Sequence, residues 1–253
     1  ETILEPIGPP PNQNGDGVQH SPEQSYQSLS EGMQISRYTL NRQIGKGGFG
    51  VVFQARNLDR PYQECAVKLI RPDRVARPKL AQRFKQEIEA LTGLSHPNIA
   101  CATDSGEWQG VLFLVLEYVD GTPVNRVMRI KPEMTIADAC EIVRQTAIGL
   151  QHIHDKNRTH RDIKPSNILV DSSCMIKICD FGLCRSISSD VQCENLVLTD
   201  YIATRWYRSI EILMGSRRYT EGVDLWSVGC IIGEMFRSRP ILPGPSTMGQ
   251  VEK

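Results

Sequence analysis

The chain has no net charge, no apolar run long enough to cross a bilayer and no Cys-x-x-Cys pair. Each absence excludes something. Lys and Arg number 29 and so do Asp and Glu, which lacks the positive excess of a dedicated nucleic-acid or membrane-surface binder. The longest apolar stretch, Val111 to Leu116, is a core strand at most. Glu1 rather than Met comes first, and no charged start precedes an apolar stretch. No signal peptide is visible, so the chain reads as a processed product or a fragment. The eight cysteines lack zinc spacing and a secretory context, so they read as free thiols of a reducing compartment. That places the protein in the cytoplasm or nucleus. A composition 40% hydrophobic and 23% charged is that of a globular protein.

The zero conceals a split. Residues 1–36 carry five acidic residues, no Lys or Arg, and five of the 15 prolines. Rich in Pro, Gln and Ser, with apolar residues scattered without period, they read as a disordered acidic tail. Periodicity begins at Tyr38. Apolar stretches over 38–45 and 50–55 flank a glycine-rich turn and read as a hairpin. Cys65–Ile70 and Val111–Tyr118 read as strands. Pro78 opens a helix with Leu80, Phe84, Ile88 and Leu91 on one face. Thr135 and Asp138 cap a helix striped by Ile136, Ala139, Ile142, Val143, Ala147 and Leu150. Short strands fit 168–170 and 175–179, and a last helix spans about 223–236. Strands early and helices late predict an α+β protein with two lobes, 37–120 and 121–253.

Four segments carry chemistry. Gly45-Lys46-Gly47-Gly48-Phe49-Gly50 sits between two strands, where glycines let backbone amides approach a phosphate chain. No helix follows it and no Gly-Lys-Ser/Thr ends it, so it is neither a dinucleotide fingerprint nor a Walker loop. Alone, it is equally an ordinary hairpin turn. Lys68 lies within an apolar strand, an expensive place unless it is paired or faces solvent. Glu87 on the following helix can pair with it; Glu89 competes but lies away from the inward face. His160-Arg161-Asp162-Ile163-Lys164-Pro165-Ser166-Asn167 crowds ionisable groups and an amide before an apolar strand. Asp180-Phe181-Gly182 follows thirteen residues after Asn167.

In this order and spacing, residues 38–252 resemble the eukaryotic-type protein kinase family. The resemblance implies a bilobal kinase fold: a five-stranded antiparallel N-lobe sheet with one helix, and a mainly helical C-lobe truncated at its C-terminal end. It implies ATP and magnesium as cofactors. Ile44 and the backbone of Gly45, Lys46, Gly47, Gly48, Phe49 and Gly50 would cover the phosphates. Lys68, tied to Glu87, would hold the α- and β-phosphates. Val52, Ala66 and Leu169 would sandwich adenine, Leu116 would guard the back of its pocket, and Glu117 and Val119 would offer backbone hydrogen bonds. Asp162 would accept the substrate proton and Lys164 would neutralise the transferred group. Asn167 and Asp180 would hold magnesium.

Residues 199–252 look most like a MAP kinase of the atypical extracellular-signal-regulated class. Thr199 and Tyr201 form its Thr-x-Tyr phosphorylation site, with Arg161, Arg205 and Arg208 as phosphate partners. The implied activity is transfer to Ser or Thr followed by Pro in protein substrates, switched by an upstream kinase or by autophosphorylation. No nucleic acid or membrane partner is implied. Arg37–Gly121 also resembles bacterial eukaryote-like Ser/Thr kinases. Ser209-Ile210-Glu211 replaces the family's Ala-Pro-Glu, which loosens a turn of the substrate platform. The alternatives are a catalytically weak fragment or an ATP-binding pseudokinase scaffold. Cys179, directly before Asp180, is either core filler or a thiol open to alkylation beside the nucleotide.

Overall fold

Alternation of buried and open residues along 38–57 builds the first hairpin. In the computed structural model Tyr38–Lys46 (β2) pairs antiparallel with Gly50–Asn57 (β3), with register shifts after Leu40 and Gln43. The structure describes residues 21–48, 50–75, 88, 91, 93–131, 134–181, 185–186, 202–216 and 219–253. Of 185–186 and 202–204 only the backbone is described. Most of the helix expected from Pro78, with Glu87 and Glu89, lies outside these residues; Ile88 and Leu91 are buried in the core.

The N-lobe sheet has six strands, not the expected five, in the order β1-β2-β3-β4-β6-β5. Glu64–Ile70 (β4), Ala102–Trp108 (β5) and Val111–Glu117 (β6) continue it. The sixth strand, Gln34–Ile35 (β1), comes from the segment expected to be a disordered tail. Residues 21–36 are folded, which corrects that expectation. Ser21 and Gln24 close a reciprocal capping box on the helix Pro22–Gln27 (α1). Ser25 is buried and donates to Gln109 Oε1 at 2.9 Å, in the turn between β5 and β6. Tyr26, Leu29 and Met33 pack on the outer face of the sheet against the core of Leu40, Phe53, Val67, Phe113 and Val115. The apolar contacts of that face offset the ordering entropy of a segment whose own composition is poor in apolar residues.

The second layer is helical. After the single turn Pro72–Val75 (α2), Val124–Ile130 (α3), Ile136–His154 (α4) and Gly222–Arg237 (α6, with the short Ile210–Leu213 as α5) pack around Leu150, Ile153, Ile163, Ile168, Ile178 and Ile231. Thr135 caps α4 by accepting from the Asp138 amide at 3.1 Å. The buried face of α4 is more polar than its predicted stripe. Ile136 and Ala147 are exposed, whereas Gln145, Thr146 and Gly149 are buried. Gln145 Oε1 accepts from Asn98 Nδ2 and the Ile176 amide, and its Nε2 donates to the Cys174 carbonyl and to Glu141. A full set of partners is what makes that amide tolerable inside. Gly121–Pro123 (β7), Ile168–Asp171 (β9) and Ile176–Ile178 (β10) form a small sheet beneath the N-lobe, and Arg158–Thr159 (β8) pairs with Arg185–Ser186 (β11).

Candidate active site

The glycine turn closes the first hairpin, between Lys46 and Gly50. Gly47 donates to the Gly50 carbonyl at 2.8 Å. A Cβ on Gly50 would lie 2.0 Å from the Leu69 carbonyl, so only glycine lets β3 approach β4 there. Ile44 is half-exposed at the rim, and Phe49 lies outside the described residues.

Across β3, β4 and β6, Val52, Lys68 and Leu114 lie opposite one another, as do Ala66 and Leu116. Val51, Phe53, Val67 and Leu69 alternate onto the outer core, which turns Val52, Ala66 and Lys68 toward the cleft. Lys68 Nζ donates to Asp180 Oδ1 at 2.5 Å, and the Lys68 side chain is only 12% exposed. Lys68 holds the Asp180 carboxyl down at about 2 against its burial, with Lys164 and His160 adding to the effect. Asp180 has a φ of 63°, a left-handed conformation that a non-glycine residue keeps only where its surroundings impose it.

The segment 160–167 hangs from one carboxylate the sequence reading did not single out. Asp224, fully buried on α6, accepts the His160 amide at 2.9 Å, the Arg161 amide at 2.8 Å and His154 Nε2 at 2.9 Å. His160 is also fully buried, with Nε2 3.1 Å from the Cys179 carbonyl and its ring 4.8 Å from that of Phe181. This scaffold aims Asp162. Its Oδ2 accepts from Lys164 Nζ at 2.7 Å and Asn167 Nδ2 at 3.1 Å. Its Oδ1 is buried and has no hydrogen-bond partner among the described residues. Asn167 Nδ2 also donates to the Asp162 carbonyl at 2.9 Å, which commits the amide nitrogen; among the described residues the amide oxygen has only a 3.4 Å contact from Ser166.

These oxygens test the expected metal. The Asn167 amide oxygen and a carboxylate at Asp180 are hard donors that suit magnesium. They fit an ion that completes its shell with phosphate oxygens and water, so Asn167 and Asp180 would hold it here.

A sequence profile of the protein kinase domain matches residues 38–253. The chain belongs to the protein kinase family. It is 42% identical over 224 residues to Mitogen-activated protein kinase 15 of Xenopus laevis, across 86% of this chain and 37% of that protein. It is 40% identical to Extracellular signal-regulated kinase 2 of Dictyostelium discoideum, across 86% and 59%. It is 37% identical to Extracellular signal-regulated kinase 7 of Drosophila melanogaster, across 92% and 26%. The chain thus spans between about a quarter and three fifths of these relatives, and each likeness runs through both lobes.

Within this kinase the other expected site residues fall as follows. Leu169 on β9 lies opposite Pro123 and Lys177. Glu87, Thr199 and Tyr201 lie outside the described residues. Arg161 sits with its guanidinium 4.8 Å from the Tyr219 ring centre. Arg205 is buried and donates to the Pro245 carbonyl at 3.2 Å. Arg208 is half-buried on the same segment. In the altered Ser209-Ile210-Glu211 turn, Ser209 is buried with its hydroxyl unpartnered among the described residues, and Ile210 is half-exposed. Cys179 donates its thiol to the Asn167 carbonyl at 3.4 Å, and burial pushes its pKa up to about 12. That favours core filler over a reactive thiolate.

Proposed function

We propose that the chain transfers the γ-phosphoryl group of ATP to Ser or Thr hydroxyls of protein substrates. The observation that carries this reading is the divided carboxylate of Asp162: one oxygen held by Lys164 and Asn167, the other buried and open. An open, oriented carboxylate oxygen suits acceptance of a hydroxyl proton. As that hydroxyl oxygen bonds to the γ-phosphorus, the bond from phosphorus to the β–γ bridging oxygen breaks and ADP leaves. Lys164 lies 2.7 Å from Asp162, close enough to neutralise charge on the group in flight. Lys68 reaches the same cleft from the opposite lobe, poised for the α- and β-phosphates. Bound magnesium would neutralise and align the β- and γ-phosphates.

The likeness to mitogen-activated and extracellular signal-regulated kinases supports a finer reading. Substrates carry Pro after the Ser or Thr, and phosphates on Thr199 and Tyr201, placed by an upstream kinase or by the chain itself, raise activity. The test is phosphate transfer to Ser-Pro and Ser-Ala peptides, with mass spectrometry of the 187–208 segment after incubation with ATP–magnesium. Asp162→Asn is expected to abolish transfer while ATP–magnesium still raises Tm. Near-normal transfer by that variant rejects the assigned base. Stabilisation by nucleotide without any transfer in the unaltered chain points to a scaffold instead.

A further inference from the structure

Lys177 plays no part in the chemistry described above. It is a charged residue in the middle of a three-residue strand, opposite Leu169, and therefore on the same face of the small sheet. Its ammonium lies 2.9 Å from Glu117 Oε1 and 3.0 Å from Oε2. Glu117 ends β6, at the point where the chain leaves the N-lobe sheet. Lys177 stands three residues before Asp180. The Lys177 side chain is 20% exposed and that of Glu117 37%.

This ion pair closes a ring around the hinge. Glu117 donates its amide to the Cys101 carbonyl at 2.8 Å. One residue earlier, the Ala100 amide donates to the Ile178 carbonyl, and the Ile178 amide donates to the Asn98 carbonyl, both at 2.9 Å. The segment 98–101 is thus bonded on one side to the hinge and on the other to the strand leading to Asp180. The side chains of Lys177 and Glu117 join the two remaining ends directly. Most half-exposed ion pairs contribute little to folding. This one links the two lobes at the place where their relative position matters.

We propose that Lys177 is a positioning residue that fixes the hinge backbone relative to the strand of Asp180, and so sets affinity for the purine end of the nucleotide. The proposal rests on the ATP reading above. It predicts an effect on a neutral ligand without phosphates, which separates positioning from simple attraction between Lys177 and polyphosphate.

The experiment is calorimetric titration of the chain with adenosine and with ATP–magnesium, alongside KM and kcat where transfer is measured. Lys177→Met and Glu117→Gln are each expected to weaken adenosine by about two- to five-fold, the scale of a partly exposed ion pair. The combined variant should be no worse than either alone, because both substitutions remove the same contact. Lys177→Arg should restore binding, whereas Lys177→Met should raise KM for ATP with kcat nearly unchanged. Unchanged adenosine affinity, or losses that simply add, overturns the proposal. So does a fall in Tm with no change in binding, which would make the pair purely structural. If the unaltered chain binds neither adenosine nor ATP–magnesium, the ATP reading itself fails and the proposal falls with it.

Discussion

Lys68 Nζ and Asp180 Oδ1 are 2.5 Å apart, so a single ammonium from the N-lobe sheet spans the cleft to the end of the strand below it. The contact fixes a sign for pH dependence. Asp180 has a carboxyl depressed from 3.8 to about 2. Its contribution to stability is present above about pH 4 and is lost as pH falls toward 2. Lys68→Met removes the main cause of that depression. In a Tm–pH series the variant should lose less stability than the parent between about pH 4 and 2, because its Asp180 no longer has a depressed carboxyl to protonate, and ATP–magnesium should no longer raise its Tm. Superimposable acid limbs for the two proteins would show that Lys68 does not govern Asp180.

Asp224 holds two consecutive backbone amides and His154 with no exposed surface of its own. Replacement by Ala leaves those buried donors without an acceptor. The expected cost is ~3 kcal/mol in urea denaturation, with Asp224→Asn milder because it keeps one acceptor oxygen. Phosphate transfer should fall further than the unfolded fraction explains, since the amides are those of His160 and Arg161. An Ala variant within ~0.5 kcal/mol of the parent removes Asp224 from the role of anchor.

The cysteines divide by exposure. Cys140 and Cys174 are exposed, whereas burial lifts Cys65 and Cys230 to about 11 and Cys179 to about 12. Iodoacetamide at pH 8, followed by peptide mass spectrometry, should label Cys140 and Cys174 well before Cys179. ATP–magnesium should slow Cys179 further. Labelling of Cys179 first, or at one rate with and without nucleotide, contradicts its placement.

The folded segment 21–36 predicts an effect of truncation. A chain starting at residue 37 exposes the apolar face that Tyr26, Leu29 and Met33 cover. Its Tm should fall relative to a chain starting at residue 21, by ~5 °C if ~2 kcal/mol is lost. Ser25→Ala, which removes the donor to Gln109, should cost about 1 kcal/mol. Equal Tm values for the two chain lengths would mean that the helix does not brace the sheet.

The motif residues were legible because their chemistry fixes both identity and spacing. Asn167 is bonded to Asp162 and to Cys179, the residue before Asp180. Strands were legible for the same reason: β3 buries every second residue from Val51 to Ala55, and β4 is an almost continuous buried run. What escaped was any polar group satisfied from far along the chain. Gln145 and Thr146 break the apolar period of α4, and only the partners of Gln145 near Asn98 and Ile176 explain its burial. Asp224 reads as a solvent carboxylate until the amides 63 and 64 residues away are in place. In the N-terminal segment, the abundance of Pro, Gln and Ser outweighed a local signal that was present, the capping box of Ser21 and Gln24. A helix of six residues reveals nothing by period, and its stability comes from the sheet it covers.

The two expected magnesium ligands belong to one lobe. Cys179 donates its amide to the Asn167 carbonyl at 2.9 Å, and β9 and β10 pair from Ile168 to Ile178, so Asn167 and Asp180 are stapled together. Lys68 comes from the other lobe. If the cleft opens as a hinge, the distance between the two oxygen ligands is preserved while the ammonium withdraws. An inhibitor anchored only on Asn167 and Asp180 would therefore bind open and closed forms alike. One that also engages Lys68 would select the closed form and act as a clamp.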